Sequence, residues 1–190
     1  MADDQYGPWV PMSLDDARRE LDGCPASWWF TGCHALELFA GRGWRAHDDL
    51  DVGIRRTDAP AVLEHLRARG WMTVVAAAGT LAPWDGGPLE EATHQNNVWC
   101  RRPGGPWQLD LTIGDGDEHR WTYRRDRAIT RPWGEALLER DGVRFLAPEL
   151  QLLFKSKDVR PKDTVDVEVV APLLDGGGLA LLTAQLRTGH

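Results

Sequence analysis

Two aspartates separated by one residue are the feature of this sequence that most clearly indicates chemistry. They are Asp49 and Asp51, and the alternation of apolar and polar residues over 49–55 predicts a strand there. Residues i and i+2 of a strand face the same side, which places the two carboxylates roughly 6–7 Å apart. Carboxylates at that spacing can share hard cations, whereas Leu50 is expected to face the core and Asp48 to face away from the pair.

A third carboxylate is expected on a neighbouring strand. Asp110 lies between Leu109 and Leu111 in the predicted strand 107–113, so its side chain faces away from theirs. A charged residue in a strand that is otherwise apolar needs a compensating partner. A metal ion is one such partner, and an arginine is the alternative.

A glycine turn precedes the aspartate pair. Gly32 and Cys33 lie between a short predicted strand, 28–31, and a helical segment that ends at Gly41. Glycine lets the backbone approach a ligand closely, and the free N–H groups of a helix start favour phosphate oxygens. The interval from Gly32 to Asp49 holds one helix and a return to the next strand, so the turn and the aspartates are expected to lie side by side.

The elements that position these residues predict an α+β fold with a mixed sheet flanked by helices. We assign residues 1–146 to this core, with an extended arm over 1–12, and residues 147–190 to a C-terminal helical segment packed on the core. The predicted helices are 14–21, 34–40, 59–70, 149–156, 164–174 and 179–186, and the predicted strands are 28–31, 49–55, 71–77, 98–101, 107–113 and 121–124.

With these residues in place, the sequence resembles the nucleotidyltransferase superfamily of the DNA polymerase β type. The superfamily signature is a Gly-Gly/Ser turn followed by Asp-x-Asp on a strand. More narrowly, a gapless block resembles the aminoglycoside 2''-nucleotidyltransferases and the related lincosamide nucleotidyltransferases. The matching positions are Gly32, Ala35, Gly41, Arg42, Arg45, His47, Asp48, Asp49, Leu50 and Asp51. Two positions depart from the pattern, since Cys33 stands where Gly or Ser is usual and Thr31 replaces a frequent Gly.

A second block, near the C-terminus, is similar to uncharacterised family members and to bacterial toxin nucleotidyltransferases. It consists of the segment 148–155, the segment 160–163 and Asp166. From the residues alone, Asp163 and Asp166 are expected to pair with Lys162 or to cap a helix rather than to bind metal.

The resemblance implies an enzyme that uses two Mg²⁺ ions to move a nucleotide from a nucleoside triphosphate to an acceptor hydroxyl. Asp49 and Asp51 would hold the metals, and Asp110 would bind the catalytic metal or act as the base. His47 would orient Asp49 or pack behind it. The positions that would contact the phosphates are Gly32, Cys33, Arg45, Lys155 and Lys162, although lysines on helices are commonly only solvated.

The composition indicates which class of partner and which cell compartment to expect. The net charge of −7 favours a cationic partner over a nucleic acid. Together with this charge, the resemblance implies a small-molecule acceptor that is cationic or hydroxyl-rich, such as an aminoglycoside. The N-terminus lacks an apolar signal segment, and no apolar run is long enough to span a membrane. The three cysteines lack metal-site spacing, which suits a reducing compartment. We therefore expect a cytoplasmic protein.

Two other functions are compatible with the same residues. One is a toxin-type nucleotidyltransferase that modifies tRNA or a protein, and the other is a non-catalytic nucleotide-binding protein on the same fold. The acceptor pocket is expected to come from residues 80–100 and the C-terminal helices. Trp84, Trp99, Trp107 and Trp121 are candidates to line it, with core packing expected for most of them.

Overall fold

The computed structural model describes residues 6–157 and 159–188, and the chain divides into two compact units. The first unit combines residues 1–28 with 46–130, and the second combines residues 29–45 with 131–190. Segment 29–45 therefore packs with the C-terminal part of the chain, and the boundary placed at residue 146 stays a prediction. The first five residues of the predicted arm and the last two of the predicted C-terminal segment lie outside the described residues.

The secondary structure alternates helices and strands in an α+β pattern. The strands are β1 (Trp28–Phe30), β2 (Asp51–Arg55), β3 (Met72–Ala77), β4 (Thr80–Pro83), β5 (Asn97–Arg101), β6 (Trp107–Gly116), β7 (Arg120–Thr122), β8 (Thr130–Pro132), β9 (Leu137–Arg140) and β10 (Val143–Leu146). The helices are α1 (Leu14–Glu20), α2 (Gly32–Ala40), α3 (Ala59–Ala68), α4 (Trp133–Ala136), α5 (Pro148–Lys155), α6 (Pro161–Val170) and α7 (Gly176–Thr188).

A mixed sheet forms the centre of the first unit, with the strand order β4-β3-β5-β6-β2. β2 runs parallel to β6, and the other neighbouring strands are antiparallel. Strand β6 is buried at every second residue, so one face packs into the core and the other carries Asp110. The core beneath the sheet includes Leu50, Val52, Ile54, Val62, Leu63, Leu66, Leu109 and Leu111.

Helix α1 and the arm before it complete the first unit. Ser13 caps α1, because its hydroxyl accepts a hydrogen bond of 3.1 Å from the backbone N–H of Asp16. The arm lies along the start of β6, where the backbone N–H of Val10 donates to the carbonyl of Trp107 and that of Met12 to the carbonyl of Gln108. This pairing covers the edge of β6 before its contact with β2 begins.

Helices dominate the second unit, where α2 packs against α5 and α6, and α5 packs against α7. Its strands are β1, which pairs in parallel with β10, and β9, which pairs antiparallel with β10. Gly41 ends α2 in the left-handed conformation, with φ of 74°, as expected for a glycine at this position. In the part of the chain that the structure describes, no helix has the length and apolar character needed to cross a bilayer.

The predicted fold class is confirmed, and most predicted elements are present with ends shifted by a few residues. The strand predicted to begin at Asp49 begins at Asp51. The sequence analysis did not predict β4, β8, β9, β10 or the one-turn helix α4. These elements are three or four residues long, too short for a hydrophobic period to be recognised.

The turn after β6 provides a test of the fold. Gly116 has φ of 138°, and a Cβ atom there would lie 2.0 Å from the backbone oxygen of Arg120. We expect Gly116→Ala to lower the free energy of unfolding by about 2–3 kcal/mol, because rigid backbone must move. Gly104→Ala is the matched control, since it has φ of 74° and no neighbouring atom within 4 Å, and it should cost only about 1 kcal/mol. Equal shifts in denaturation midpoint for the two variants would contradict this account.

Candidate active site

Two of the predicted metal-binding aspartates face each other across neighbouring strands. In the parallel pairing of β2 with β6, Asp51 lies directly opposite Asp110. The register is fixed locally by a 2.8 Å hydrogen bond from the backbone N–H of Asp110 to the carbonyl of Leu50, whose side chain is fully buried. The first unit therefore brings two acidic side chains together at the start of β2, with Asp49 two residues upstream.

The side chain of Asp110 has neutral hydrogen-bond partners. Asn97 on β5 donates its side-chain amide to both carboxylate oxygens, each at 3.0 Å, and the side chain of Trp99 is a further donor. Burial raises the pKa of Asp110 to about 7, the negative charge of Asp49 adds to this, and the bonds from Asn97 and Trp99 only partly offset it. The donors to Asp110 are therefore neutral and do not compensate the charge of its carboxylate.

Another acidic residue of the same strand shows the alternative arrangement. Asp115 is buried on the opposite face of β6 and lies between two arginines, with Arg56 at 2.7 Å and Arg124 at 2.9 Å. Arg56 also donates to the carbonyls of Leu89 and Gln95, which ties the loop after β4 to the sheet. The arginine pairing considered for Asp110 is therefore found at Asp115, and Arg124 takes part in it.

A cavity of about 340 Å³ opens beside Asp110 in the first unit. Its walls come from the turn between β3 and β4, from the aromatic rings of Tyr6 and Trp99, and from Asn97. Of the four tryptophans considered for the pocket, Trp99 is partly exposed, whereas Trp84, Trp107 and Trp121 are buried. A small molecule in this cavity would lie next to the Asp110 carboxylate.

The glycine turn lies in the second unit, at the start of α2. The backbone N–H of Gly32 donates to the side-chain oxygen of Gln151 on α5 at 2.9 Å, and the Thr31 hydroxyl donates to the same oxygen at 2.6 Å. The amide predicted to face a phosphate therefore already has a partner. Cys33 is buried, and its thiol donates to Asp166 at 3.4 Å. Burial and the negative charge of Asp166 raise the pKa of this thiol to about 12.

Arg45 and Lys155, two of the predicted phosphate contacts, join a buried cluster of ion pairs around Asp166 and Asp163. Arg45 binds Asp166 with two nitrogens, at 3.0 and 3.2 Å, and Lys155 lies 2.9 Å from Asp166 and 3.0 Å from Asp163. Arg160 binds Asp163 at 2.8 Å. The expected pairing of these aspartates with basic residues is thus present, and it involves these three cations. Lys162 lies in the first turn of α6.

This cluster keeps its carboxylates ionised despite their burial. Burial opposes the charge of Asp166, but hydrogen bonds from Arg45, Lys155 and Trp44 overcome it and hold the pKa of Asp166 well below its usual range. Asp163 behaves in the same way through Arg160 and Lys155. Asp163 also caps α6 by accepting from the backbone N–H of Arg160 at 3.1 Å.

Comparisons with known proteins support the predicted resemblance. Residues 14–78 match the model of the Aminoglycoside-2''-adenylyltransferase family. No curated protein matches the chain significantly. The solved structure of the lincosamide antibiotic adenylyltransferase LnuA, bound to lincomycin, is similar with a TM-score of 0.58 and 15% identity, covering 87% of this chain and 100% of that one.

Two structures of ANT(2'')-Ia are similar as well. The crystal structure in complex with adenylyl-2''-tobramycin has a TM-score of 0.59 and 15% identity, and covers 93% of this chain and 97% of that one. The solution structure has a TM-score of 0.61 and 16% identity, and the match covers 92% of this chain and 89% of that one.

The chain has the polymerase β-like nucleotidyltransferase fold.

The family match and this fold together indicate a nucleotidyltransferase, as the sequence predicts. The matched stretch includes Asp49 and Asp51 and the predicted phosphate contacts Gly32, Cys33 and Arg45, whereas Asp110, Lys155 and Lys162 lie beyond it. For a nucleotidyltransferase, the residues that the sequence analysis missed are Asn97, which fixes the Asp110 carboxylate, and Gln151, which fixes the glycine turn. The position of Asn97 directly before the predicted strand 98–101 was the available signal for Asn97.

The contribution of the ion pairs around Asp163 and Asp166 can be tested by measuring the stability of the protein. Asp166→Asn removes the charge that compensates Arg45 and Lys155, so we expect the free energy of unfolding to fall by about 3–5 kcal/mol in chemical denaturation. Asp15→Asn is the control, because Asp15 forms an exposed pair with Arg18 at 3.8 Å, and its substitution should change little.

The pH dependence of stability distinguishes a lost charge from lost packing. Because the folded-state pKa values of Asp163 and Asp166 are depressed, their contribution is present above the ordinary aspartate pKa of 3.8 and is lost as the pH falls below it. The unfolding free energy of Asp166→Asn should therefore decline less steeply with acidification than that of the wild type. Parallel slopes would contradict an ionised Asp166.

Proposed function

We propose that this protein is a metal-dependent adenylyltransferase that transfers AMP from ATP to a hydroxyl group of a small molecule. The observation that carries the proposal is the register of β2 and β6, which sets Asp51 opposite Asp110 beside a cavity large enough for an acceptor. The family match supports adenylyl transfer. Similar structures bound to lincomycin and to adenylyl-2''-tobramycin support a small-molecule acceptor.

The acidic residues have the chemistry of a divalent-cation site. Carboxylate oxygens are the ligands that Mg²⁺ prefers, and the Asp110 carboxylate is destabilised by burial and by Asp49 while its hydrogen-bond partners are neutral. A cation would offset that repulsion. We assign Asp49, Asp51 and Asp110 as the residues that hold two Mg²⁺ ions. When bound, Mg²⁺ would neutralise the triphosphate and stabilise charge on the attacking and leaving oxygens.

The chain's own residues can perform the proton transfer and the positioning that the reaction needs. Asp110 lines the cavity, so an acceptor hydroxyl bound there can give its proton to a carboxylate oxygen of Asp110. The acceptor oxygen then forms a bond to the α-phosphorus, the bond from that phosphorus to the bridging oxygen breaks, and pyrophosphate leaves. Asn97 holds the Asp110 carboxylate through both oxygens, which fixes its orientation during this step.

The triphosphate is assigned to the backbone at the start of α2, with Lys162 as a further contact. A phosphate oxygen at Gly32 would compete with Gln151 for the same amide, so nucleotide binding would release the Gln151 side chain from it. Arg45 and Lys155 would act through the buried cluster, where Asp166 already holds both. Their contribution to the nucleotide is therefore electrostatic rather than a direct contact.

The ion pairs of the second unit weaken the argument for a macromolecular substrate. The C-terminal block was the basis for the toxin-type alternative, and its residues Lys155, Arg160, Asp163 and Asp166 are bonded to one another. These contacts give the block a structural role in this chain. The small-molecule reading is favoured by the cavity beside Asp110.

The proposed function is tested by pyrophosphate release with ATP, Mg²⁺ and a panel of hydroxylated antibiotics. Asp49→Asn and Asp110→Asn should each lower the rate by about a thousandfold, because each removes a carboxylate that acts on the reacting atoms. Both variants should remain folded, and Asp110→Asn should be at least as stable as the wild type at pH 8, since it removes a disfavoured charge.

Asp48→Asn is the matched control for these variants. Asp48 is exposed and adjacent to Asp49, so its substitution tests for a general loss of negative charge. We expect it to keep most of the activity. Equal losses in all three variants, or full turnover by Asp110→Asn, would contradict the assignment.

A further inference from the structure

The cavity beside Asp110 has an aromatic wall whose ring faces the proposed chemistry does not use, although Trp99 also donates a hydrogen bond to Asp110. Trp99 on β5 and Tyr6 in the N-terminal arm line the cavity, and their ring centroids lie 5.7 Å apart in an edge-to-face arrangement. Both side chains are partly exposed. Because a tryptophan face left accessible beside a polar group is a common way to bind a ring, this wall points to a ligand with a flat or saccharide-like surface.

The indole of Trp99 is held in place by other aromatic rings. Trp9 lies 5.2 Å from it and Trp107 lies 5.6 Å from it, each with a large interplanar angle. Trp107 is itself buried and donates its indole N–H to the carbonyl of Tyr6 at 2.7 Å. A wall fixed in this way loses little conformational entropy when a ligand binds, so it can contribute to affinity and to discrimination.

Tyr6 connects this wall to the opposite rim of the cavity. Its hydroxyl donates to the carbonyl of Gly79 in the turn between β3 and β4. The turn residues Ala78 and Gly79 both have positive φ, 49° and 74°, which gives the tight hairpin that brings the turn to the cavity. The arm and the hairpin thus bound the space in which an acceptor would lie.

The cavity beside Asp110 is lined by few charged side chains. Among the residues that line this cavity, Asp110 is the carboxylate, and the rest of the wall is formed mainly by aromatic and small apolar side chains such as Trp99, Ala76 and Leu81. A polycationic acceptor would place several ammonium groups against apolar walls, where each loses hydration without gaining a partner. A volume of about 340 Å³ also lies near the lower end for ligand pockets.

Acidic residues do occur nearby, but at a different cavity. Asp85 and Glu90 line a second space of about 510 Å³, which also includes Val75 and Ala82. Val75 pairs with Ala82 and Ala76 pairs with Leu81 in the same hairpin, so alternate residues place the two cavities on opposite faces of it. The two cavities share Ala77, Ala78 and Thr80 at the tip of the hairpin, but Asp85 and Glu90 do not line the cavity beside Asp110.

We propose that Trp99 and Tyr6 select a hydroxyl-bearing ring compound with at most one positive charge, in preference to a polycationic aminoglycoside. The inference rests on the proposed function, because it takes the cavity beside Asp110 as the acceptor site. It narrows the acceptor from the cationic or hydroxyl-rich class expected from net charge to a weakly charged, ring-bearing subset. Trp99 supplies the face on which the ring stacks, and Tyr6 closes the rim.

Equilibrium binding and turnover test this selectivity together. Lincomycin and chloramphenicol, with one or no positive charge, are compared with tobramycin and kanamycin, which carry several, by calorimetry without nucleotide and by pyrophosphate release with ATP and Mg²⁺. We expect a compound of the first pair to bind and to turn over in preference to both of the second. Trp99→Ala should weaken its binding about tenfold, and it should raise the KM for the acceptor more than it lowers kcat, because Asn97 still donates to both oxygens of Asp110.

Trp121→Phe is the control for loss of a large indole in the same unit, because Trp121 is buried against Tyr123 and does not line the cavity. It should leave acceptor binding unchanged. Tyr6→Phe should have an intermediate effect, since it removes only the bond to Gly79.

The outcomes separate the two proposals. Preference for tobramycin or kanamycin, no binding of either weakly charged compound, or unchanged binding in Trp99→Ala would each overturn the selectivity inference while leaving adenylyl transfer open. Binding of a weakly charged compound that depends on Trp99, without pyrophosphate release for any acceptor, would support the pocket and contradict the proposed function.

Discussion

The parallel pairing of β2 with β6 is the constraint on which the candidate site depends. It sets Asp51 opposite Asp110 and leaves Asp49 close enough to disfavour the charge of Asp110. Like charges at this spacing destabilise a folded chain unless something offsets them. The register is nevertheless fixed by buried apolar residues on the other face of the two strands. These residues include Leu50, Leu109 and Leu111.

Other buried aspartates of the chain are neutralised by ion pairs with basic residues. Asp115 lies between two arginines, and Asp166 is bound by Arg45 and Lys155. Asp110 instead receives neutral hydrogen bonds from Asn97 and Trp99. This contrast separates carboxylates that stabilise the structure from one whose charge remains available to a cation or to an acceptor proton.

The sequence contains enough information to predict that Asp51 and Asp110 face each other, but not which residues surround them. The Asp-x-Asp pair and the alternation around Asp110 predict facing carboxylates, because strand period alone determines which side chains share a face. The partners of those residues are distant in sequence, so Gln151 at Gly32 and the bonds from Arg45 and Lys155 to Asp166 depend on packing that no local pattern encodes. The short strands after β7 were missed for a related reason, since three or four residues carry too little periodicity.

The most direct test of the account is to locate divalent cations in crystals of the protein with Mn²⁺ and a non-hydrolysable ATP analogue. Anomalous scattering identifies Mn²⁺ independently of any assumption about the site. The account predicts peaks within coordination distance of the carboxylates of Asp49, Asp51 and Asp110. Peaks bound only by other acidic residues, with these three carboxylates ligating none, would contradict it.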